Sequence, residues 1–335
     1  MNPTRNNIPA LDALRGFACL LVVLAHAGGL KVFFDIRGAG QIGVMLFFAL
    51  SGFLMYILYG NQPITPVSLK AYGLRRFFRV VPAFVFVVLA SYLGFLSGWY
   101  TIYDIDGAEA WKHMTLRGEV SVLWTISVEL KFYLFFPLVI AVLIKLPHPR
   151  QELAALVLLY LLFVALEFDL PKSSLWRFTE FFLAGMIAGS IYLQVSPGDA
   201  TRRWINAGFI LLVGLLVLSI PRFIDLIPGI TTQLWRDPLP YSILVSLTVL
   251  TAAWLSPPVA DIFANPAMRF LGRISFSLYL IHLPVMRLVL ANLEDYEFVG
   301  LSLAIVAAVA AAWLMYRVIE LPGQTLGRRI LQRQR

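Results

Sequence analysis

"ALDALRGFACLLVVLAHAGG", Ala10 to Gly29, is apolar almost throughout, yet Arg15 and His26 lie inside it. A helix of about 20 residues rises 1.5 Å per residue and crosses a hydrocarbon core of about 30 Å, so this stretch predicts a membrane span. The pattern is general: of 335 residues, 59% are hydrophobic and 14% charged, with a mean hydropathy of +0.79. That balance excludes an ordinary soluble domain. The apolar runs are about 17 to 22 residues long, where a membrane barrel would show alternating strands of about ten.

The chain therefore predicts an all-α, polytopic membrane bundle of about ten transmembrane helices, at about 10–30, 41–59, 80–98, 123–144, 153–168, 176–193, 204–220, 239–256, 271–291 and 298–318. The basic loop residues divide roughly two to one between the faces. Arg75, Arg76, Arg79, Arg202, Arg203, Arg328 and Arg329 fall on the side of the termini, while Lys31, Arg37, Lys112 and Arg117 fall on the other. Both termini are accordingly expected in the cytoplasm. The net charge of +8 reads as a topology signal, since the basic residues flank apolar spans and build no separate nucleic-acid-binding face.

Cys19 is the only cysteine, so neither an intramolecular disulfide nor a cysteine metal site is available, and no metal centre is expected. The first span carries Asp12, Arg15 and His26 and reads as a retained helix, not a cleaved leader. No loop is long enough for a soluble domain. A single integral membrane domain, 1–335, is expected, without a soluble appended domain.

Chemistry must then come from ionisable groups within the spans. Arg15 and His26 are eleven positions apart, which at about 100° per residue returns to one face with a rise of about 16 Å. Taken singly, Arg15 reads as snorkelling to the headgroups and His26 as an interior histidine; together they point to a polar path. In "LKAYGLRRFFRVVP", Leu69 to Pro82, the guanidinium groups of Arg75, Arg76 and Arg79 suit either anionic lipid or bidentate phosphate binding, with Phe77 and Phe78 expected toward the membrane. In "WTISVELKFYLFFP", Trp124 to Pro137, Glu129 lies at a depth similar to that of His26. It can fix the imidazole for general-base work or pair instead with Lys131. Further candidates are Ser51, Trp124, Ser127, Tyr133, Glu180, Tyr279 and His282.

The ordered set "LDALRG", "FFALSGFL", "RRFFRVVP", "WTISVELKFYLFFP", "GRISFSLYLIHLP" and the late "IELP" with Glu320 resembles the bacterial membrane-bound acyltransferases of the acyltransferase 3 family, which O-acetylate surface polysaccharides and related acceptors. The resemblance implies a multi-pass protein of the inner membrane with no permanently bound cofactor. It implies acetyl-CoA, or another acyl-CoA, as donor and a hydroxyl of a saccharide or glycan at the outer face as acceptor. It also makes His26 the catalytic histidine, Arg15 its paired basic residue, Arg75, Arg76 and Arg79 the holders of CoA, and Glu129 the acidic residue of the fourth span. Ala13 stands where many members carry glycine. The alternative on the residues alone is a proton-coupled transporter using Arg15, His26, Glu129 and Glu180.

Overall fold

A computed structural model describes residues 8–30, 36, 38–98, 102–166, 170–224, 226, 238–293 and 297–333. Lys31, Arg37 and the acidic Asp35 lie outside the described residues. Among those described, regular structure is helical, and no strand occurs. In chain order the helices are α1 (Pro9–Gly29), α2 (Ala39–Tyr59), α3 (Pro66–Ser97), α4 (Gly107–Met114), α5 (Trp124–Leu143), α6 (Pro149–Ala165) and α7 (Thr179–Gln194). They continue with α8 (Asp199–Leu218), α9 (Pro221–Ile224), α10 (Pro238–Ala253), α11 (Pro257–Phe263), α12 (Pro266–Ala291), α13 (Glu297–Met315) and α14 (Leu321–Gln332). A π-helical turn, Tyr316–Glu320, joins the last two.

Each expected span contains a helix, but the lengths are unequal. Among the described residues seven helices are long and apolar enough to cross a membrane, or eight if the bent pair α10 and α11 counts as one span. The remaining segments are shorter: α6 has 17 residues, and α7 and α10 have 16 each. A short helix is tolerable where protein rather than lipid surrounds it, because its ends then meet polar partners. α7 is such a helix, with the run from Thr179 to Met186 wholly buried.

The chain forms two compact units. The first comprises Met1–Gln62, Val142–Phe168 and Phe178–Ser275; the second comprises Pro63–Ala141, Asp169–Arg177 and Phe276–Arg335. In the first unit α2 and α7 lie directly against one another. A Cβ placed on Gly185 would overlap the Ala49 carbonyl, and one on Gly52 would overlap the Phe182 carbonyl. These reciprocal glycines let two backbones meet, the small-residue contact by which membrane helices gain dispersion energy where no hydrophobic drive exists. Phe48 stacks on Phe182 at 4.6 Å beside this contact. Gly272 of α12 meets the Asp12 carbonyl of α1 in the same fashion.

In the second unit two prolines set the details. Pro137 in α5 and Pro284 in α12 have no N–H, so the carbonyls of Tyr133 and Leu280, four residues earlier, lose their helical donors. The Tyr72 hydroxyl donates to the Tyr133 carbonyl at 2.8 Å, and the Tyr103 hydroxyl donates to the Leu280 carbonyl at 2.7 Å. Each buried tyrosine therefore satisfies a carbonyl that a proline has freed. Tyr103→Phe is expected to cost about 1–3 kcal/mol, the penalty for an unsatisfied buried acceptor, read as a lower thermal midpoint in detergent. In a Pro284→Ala background the cost should shrink, since Leu280 regains its helical donor.

The arginine segment of α3 differs from its expected placement in one respect. Phe77 is half exposed, but Phe78 is covered: Gly323 and Gly327 of α14 press on it, and only their missing side chains leave room. α14 thus lies along α3 at Phe78 and Pro82.

Candidate functional site

The first unit holds Arg15 and His26 on α1. Between them on the same stripe stand Cys19 and Val22, 0% and 1% exposed. Cys19 Sγ contacts the Ser275 carbonyl at 3.5 Å, and Val22 faces Gly43 of α2. The stripe is therefore turned into protein, which is where a buried cation and imidazole can be compensated. Arg15 Nη1 sits 3.1 Å from Asp12 Oδ1, one turn back, with 19% of the arginine side chain exposed. His26 is half-buried in the last turn. Ser51 is half-buried on α2 beside Gly52, and Glu180, 4% exposed, begins α7.

The second unit holds the arginines and Glu129. The three guanidinium groups part company: Arg75 is exposed, while Arg76 turns inward and places Cζ 5.7 Å over the Tyr133 ring. Arg79, one turn from Arg75, is half-buried. The Tyr133 hydroxyl donates to Glu129 Oε1, one turn earlier on α5. Arg76, Tyr133 and Glu129 thus form one chain of contacts, cation to ring to hydroxyl to carboxylate. The Lys131 ammonium is not spent on Glu129; it donates to the Ser173 carbonyl at 2.6 Å. Ser173 N–H in turn donates to Glu119 at 2.7 Å.

The other candidates sort by their partners. The Thr125 hydroxyl donates to the Tyr279 hydroxyl at 3.0 Å, and Tyr279 donates to the Val122 carbonyl at 3.2 Å, tying α12 to the start of α5 beside half-buried Trp124. His282 is fully buried, with Nδ1 2.9 Å from the Tyr279 carbonyl and 3.0 Å from that of Leu278. Two carbonyl acceptors require Nδ1 to carry the proton. Ser127 Oγ is buried without a hydrogen-bond partner among the described residues.

Two features escape a reading of spacing alone. Glu320, 5% exposed, accepts from the Ser277 hydroxyl at 2.7 Å and from the Gln324 amide at 3.1 Å, at the end of the π-helical turn. Such turns widen a helix locally and gather at functional sites. No sequence spacing pairs residues so far apart as Ser277 and Glu320. The second feature is His113 in α4, a helix inside what reads as a plain loop. Its ring is wholly buried, meets Phe84 edge-on at 6.1 Å and lies under Gly118, and neither nitrogen has a partner among the described residues.

Burial pushes the His113 imidazole below its ordinary value, with the charge of Glu109 acting weakly the other way. The unfolded chain takes up a proton near pH 6.5, while the folded one resists until lower pH. The stability that His113 contributes is therefore complete above about pH 6.5 and falls as pH drops below it. Protection factors against hydrogen exchange across 107–114 should fall between pH 7.5 and 5.5, and His113→Leu should remove that fall.

A family model described as an acyltransferase domain, that of acyltransferase 3, matches residues 8–317. A "Putative O-acetyltransferase" of Staphylococcus aureus strain COL is 25% identical over 363 residues, covering 94% of this chain and 57% of that protein. The O-acetyltransferase OatA of Staphylococcus aureus strain NCTC 8325 / PS 47 is 24% identical over 359 residues, with the same two coverages. The chain thus spans a little over half the length of these relatives. No solved structure matches it. With ionisable groups turned inward on apolar helices and the family match running through nearly every helix, the chain belongs to the membrane acyltransferases of the acyltransferase 3 family.

Proposed function

We propose that this protein moves an acyl group, acetyl by preference, from acyl-CoA in the cytoplasm to a hydroxyl of a saccharide or glycan on the outer face of the inner membrane. The observation that carries the reading is the inward stripe of α1, where a membrane helix of an acyltransferase family presents a cation and an imidazole separated by about 16 Å of rise. With both termini cytoplasmic, Arg15 lies near the donor side and His26 near the acceptor side. A pantetheine arm spans a comparable length, so the thioester reaches the imidazole while the nucleotide stays outside the bilayer.

His26 takes the acceptor hydroxyl's proton as general base, the acceptor oxygen bonds to the acyl carbon as the thioester C–S bond breaks, and the proton passes from the imidazole to the departing CoA thiolate; Glu129 serves the same reaction with its charge. Arg15, about 16 Å back along α1, guides the thioester arm toward the imidazole. Arg75 and Arg79 bind the CoA phosphates, for which planar guanidinium groups are suited. Arg76 holds Tyr133 and acts on the reaction through it. The names of the relatives, O-acetyltransferases, support acetyl as the group and oxygen as the acceptor atom.

Mass spectrometry of surface glycans from cells with and without the gene tests the reading: one acyl group should be missing from one glycan. An unchanged acyl pattern overturns it. The donor side has its own test. Arg75→Gln and Arg79→Gln should each raise KM for acetyl-CoA at least about tenfold with kcat retained, the mark of lost binding that is equal in ground and transition states. Arg76→Gln should lower kcat as well.

A further inference from the structure

We propose that the first unit carries a phospholipid site at the N-terminal end of α8, where the headgroup phosphodiester is held by Arg202 and Arg203. This inference rests on α8 spanning the membrane and not on the acyl-transfer reading. α8 is the span least covered by protein, with 11% of its apolar window buried. Ile210, Leu211 and Leu218 are more than half exposed along it, so acyl chains of the bilayer must cover this face. Trp204 is 80% exposed within the first two turns, at the depth where amphipathic rings mark the headgroup layer.

At that same end lies a cleft of about 490 Å³ lined by Pro197, Arg202, Arg203, Asn206, Ser256 and Pro257. Its floor is rigid. The Asn206 amide donates to the Ser256 hydroxyl at 2.7 Å, and its carbonyl oxygen accepts from Ser256 N–H at 3.1 Å. This pair locks α8 to the break where α11 turns away from α10 by 117°. Arg202 Nε donates to the Pro197 carbonyl at 3.3 Å, which holds that guanidinium at the rim. Arg203 beside it is exposed.

The charges choose the ligand. Two guanidinium groups favour a phosphate, while Asp199, also on the lining, leaves one positive charge in excess. A singly charged phosphodiester matches that excess; a nucleotide or a polyphosphate would bring its extra charges against the Asp199 carboxylate. The occupant with one phosphate charge, a glycerol to fill the cleft and apolar chains to run down α8 is a membrane phospholipid. Basic pockets at the ends of membrane helices recognise headgroups in this way.

The test is native mass spectrometry of the purified full-length protein titrated in detergent with phosphatidylglycerol. Wild type should bind one lipid tightly. Arg203→Gln should weaken that binding about fivefold, and Arg202→Gln with Arg203→Gln about 25-fold, at about 1 kcal/mol per basic residue. Arg328→Gln with Arg329→Gln, the same loss of charge elsewhere, should leave it unchanged. Among the described residues Arg203 makes no hydrogen bond that supports the local fold, so Arg203→Gln should melt like wild type and keeps the test decisive if the double variant misfolds. Equal binding by Arg203→Gln and wild type overturns the proposal. So does full displacement of the lipid by inorganic phosphate, which would make the site one for soluble phosphate, or a dimer seated on α8 without bound lipid.

Discussion

Replacing His26 with alanine should abolish acylation of the acceptor, lowering the rate by about 10²–10⁴-fold, while the protein stays folded in the membrane. The effect should be one of chemistry because His26 is half-buried in the last turn of α1 and fills no part of the apolar core. The residues that carry the helix's packing, Leu14, Ala18, Cys19 and Val22, are untouched. Glu129→Gln keeps a hydrogen-bonding group for Tyr133 yet removes the carboxylate charge, and should also slow turnover. If the two residues serve one proton transfer, the double variant should be no slower than His26→Ala alone, a departure from additivity typical of residues acting as a unit. Membrane levels and melting of the variants should match wild type.

The largest effect on stability should follow from Gly185→Leu. The added side chain would enter the space held by the Ala49 carbonyl of α2, and backbone cannot step aside as the end of a flexible side chain can. α2 and α7 must separate, opening the contact that Gly52 makes from the other helix and the Phe48 and Phe182 stack beside it. Overpacking by itself costs about 1–3 kcal/mol, and loss of the helix contact adds to it, against a total stability of about 5–15 kcal/mol. Size-exclusion chromatography of detergent extracts should show little folded protein. Gly214→Leu, at a position with open space around a Cβ, should behave like wild type.

Much of this was legible in the sequence for a physical reason. An ionisable group in a hydrocarbon environment is costly, so Arg15, His26, Glu129 and Glu180 stand out against apolar neighbours without any knowledge of their partners. Helical periodicity likewise puts Arg15 and His26 on one face, and that face is the inward one. What spacing does not carry is the identity of partners distant in the chain. Asp12 beside Arg15 was within reach, at three residues' separation, but Tyr72 and Tyr103 are bound to carbonyls that prolines in other helices freed. Lys131 is a natural partner for Glu129 on charge alone, yet two residues along a helix point apart by about 160°, and Tyr133 at four residues' separation takes the carboxylate instead. Phe78 shows the same limit: its apolar ring suits lipid as well as protein, and only the glycines of α14 decide between them.

The most direct test of the central claim is transfer across the membrane. Inverted vesicles from cells expressing the chain expose the cytoplasmic face, so acetyl-CoA labelled in its acetyl group is added outside while the saccharides of the outer face are enclosed. Wild-type vesicles should attach the label to enclosed saccharide, and His26→Ala vesicles should not. Equal labelling by both, or pH-driven solute flux with no consumption of acetyl-CoA, would contradict the account.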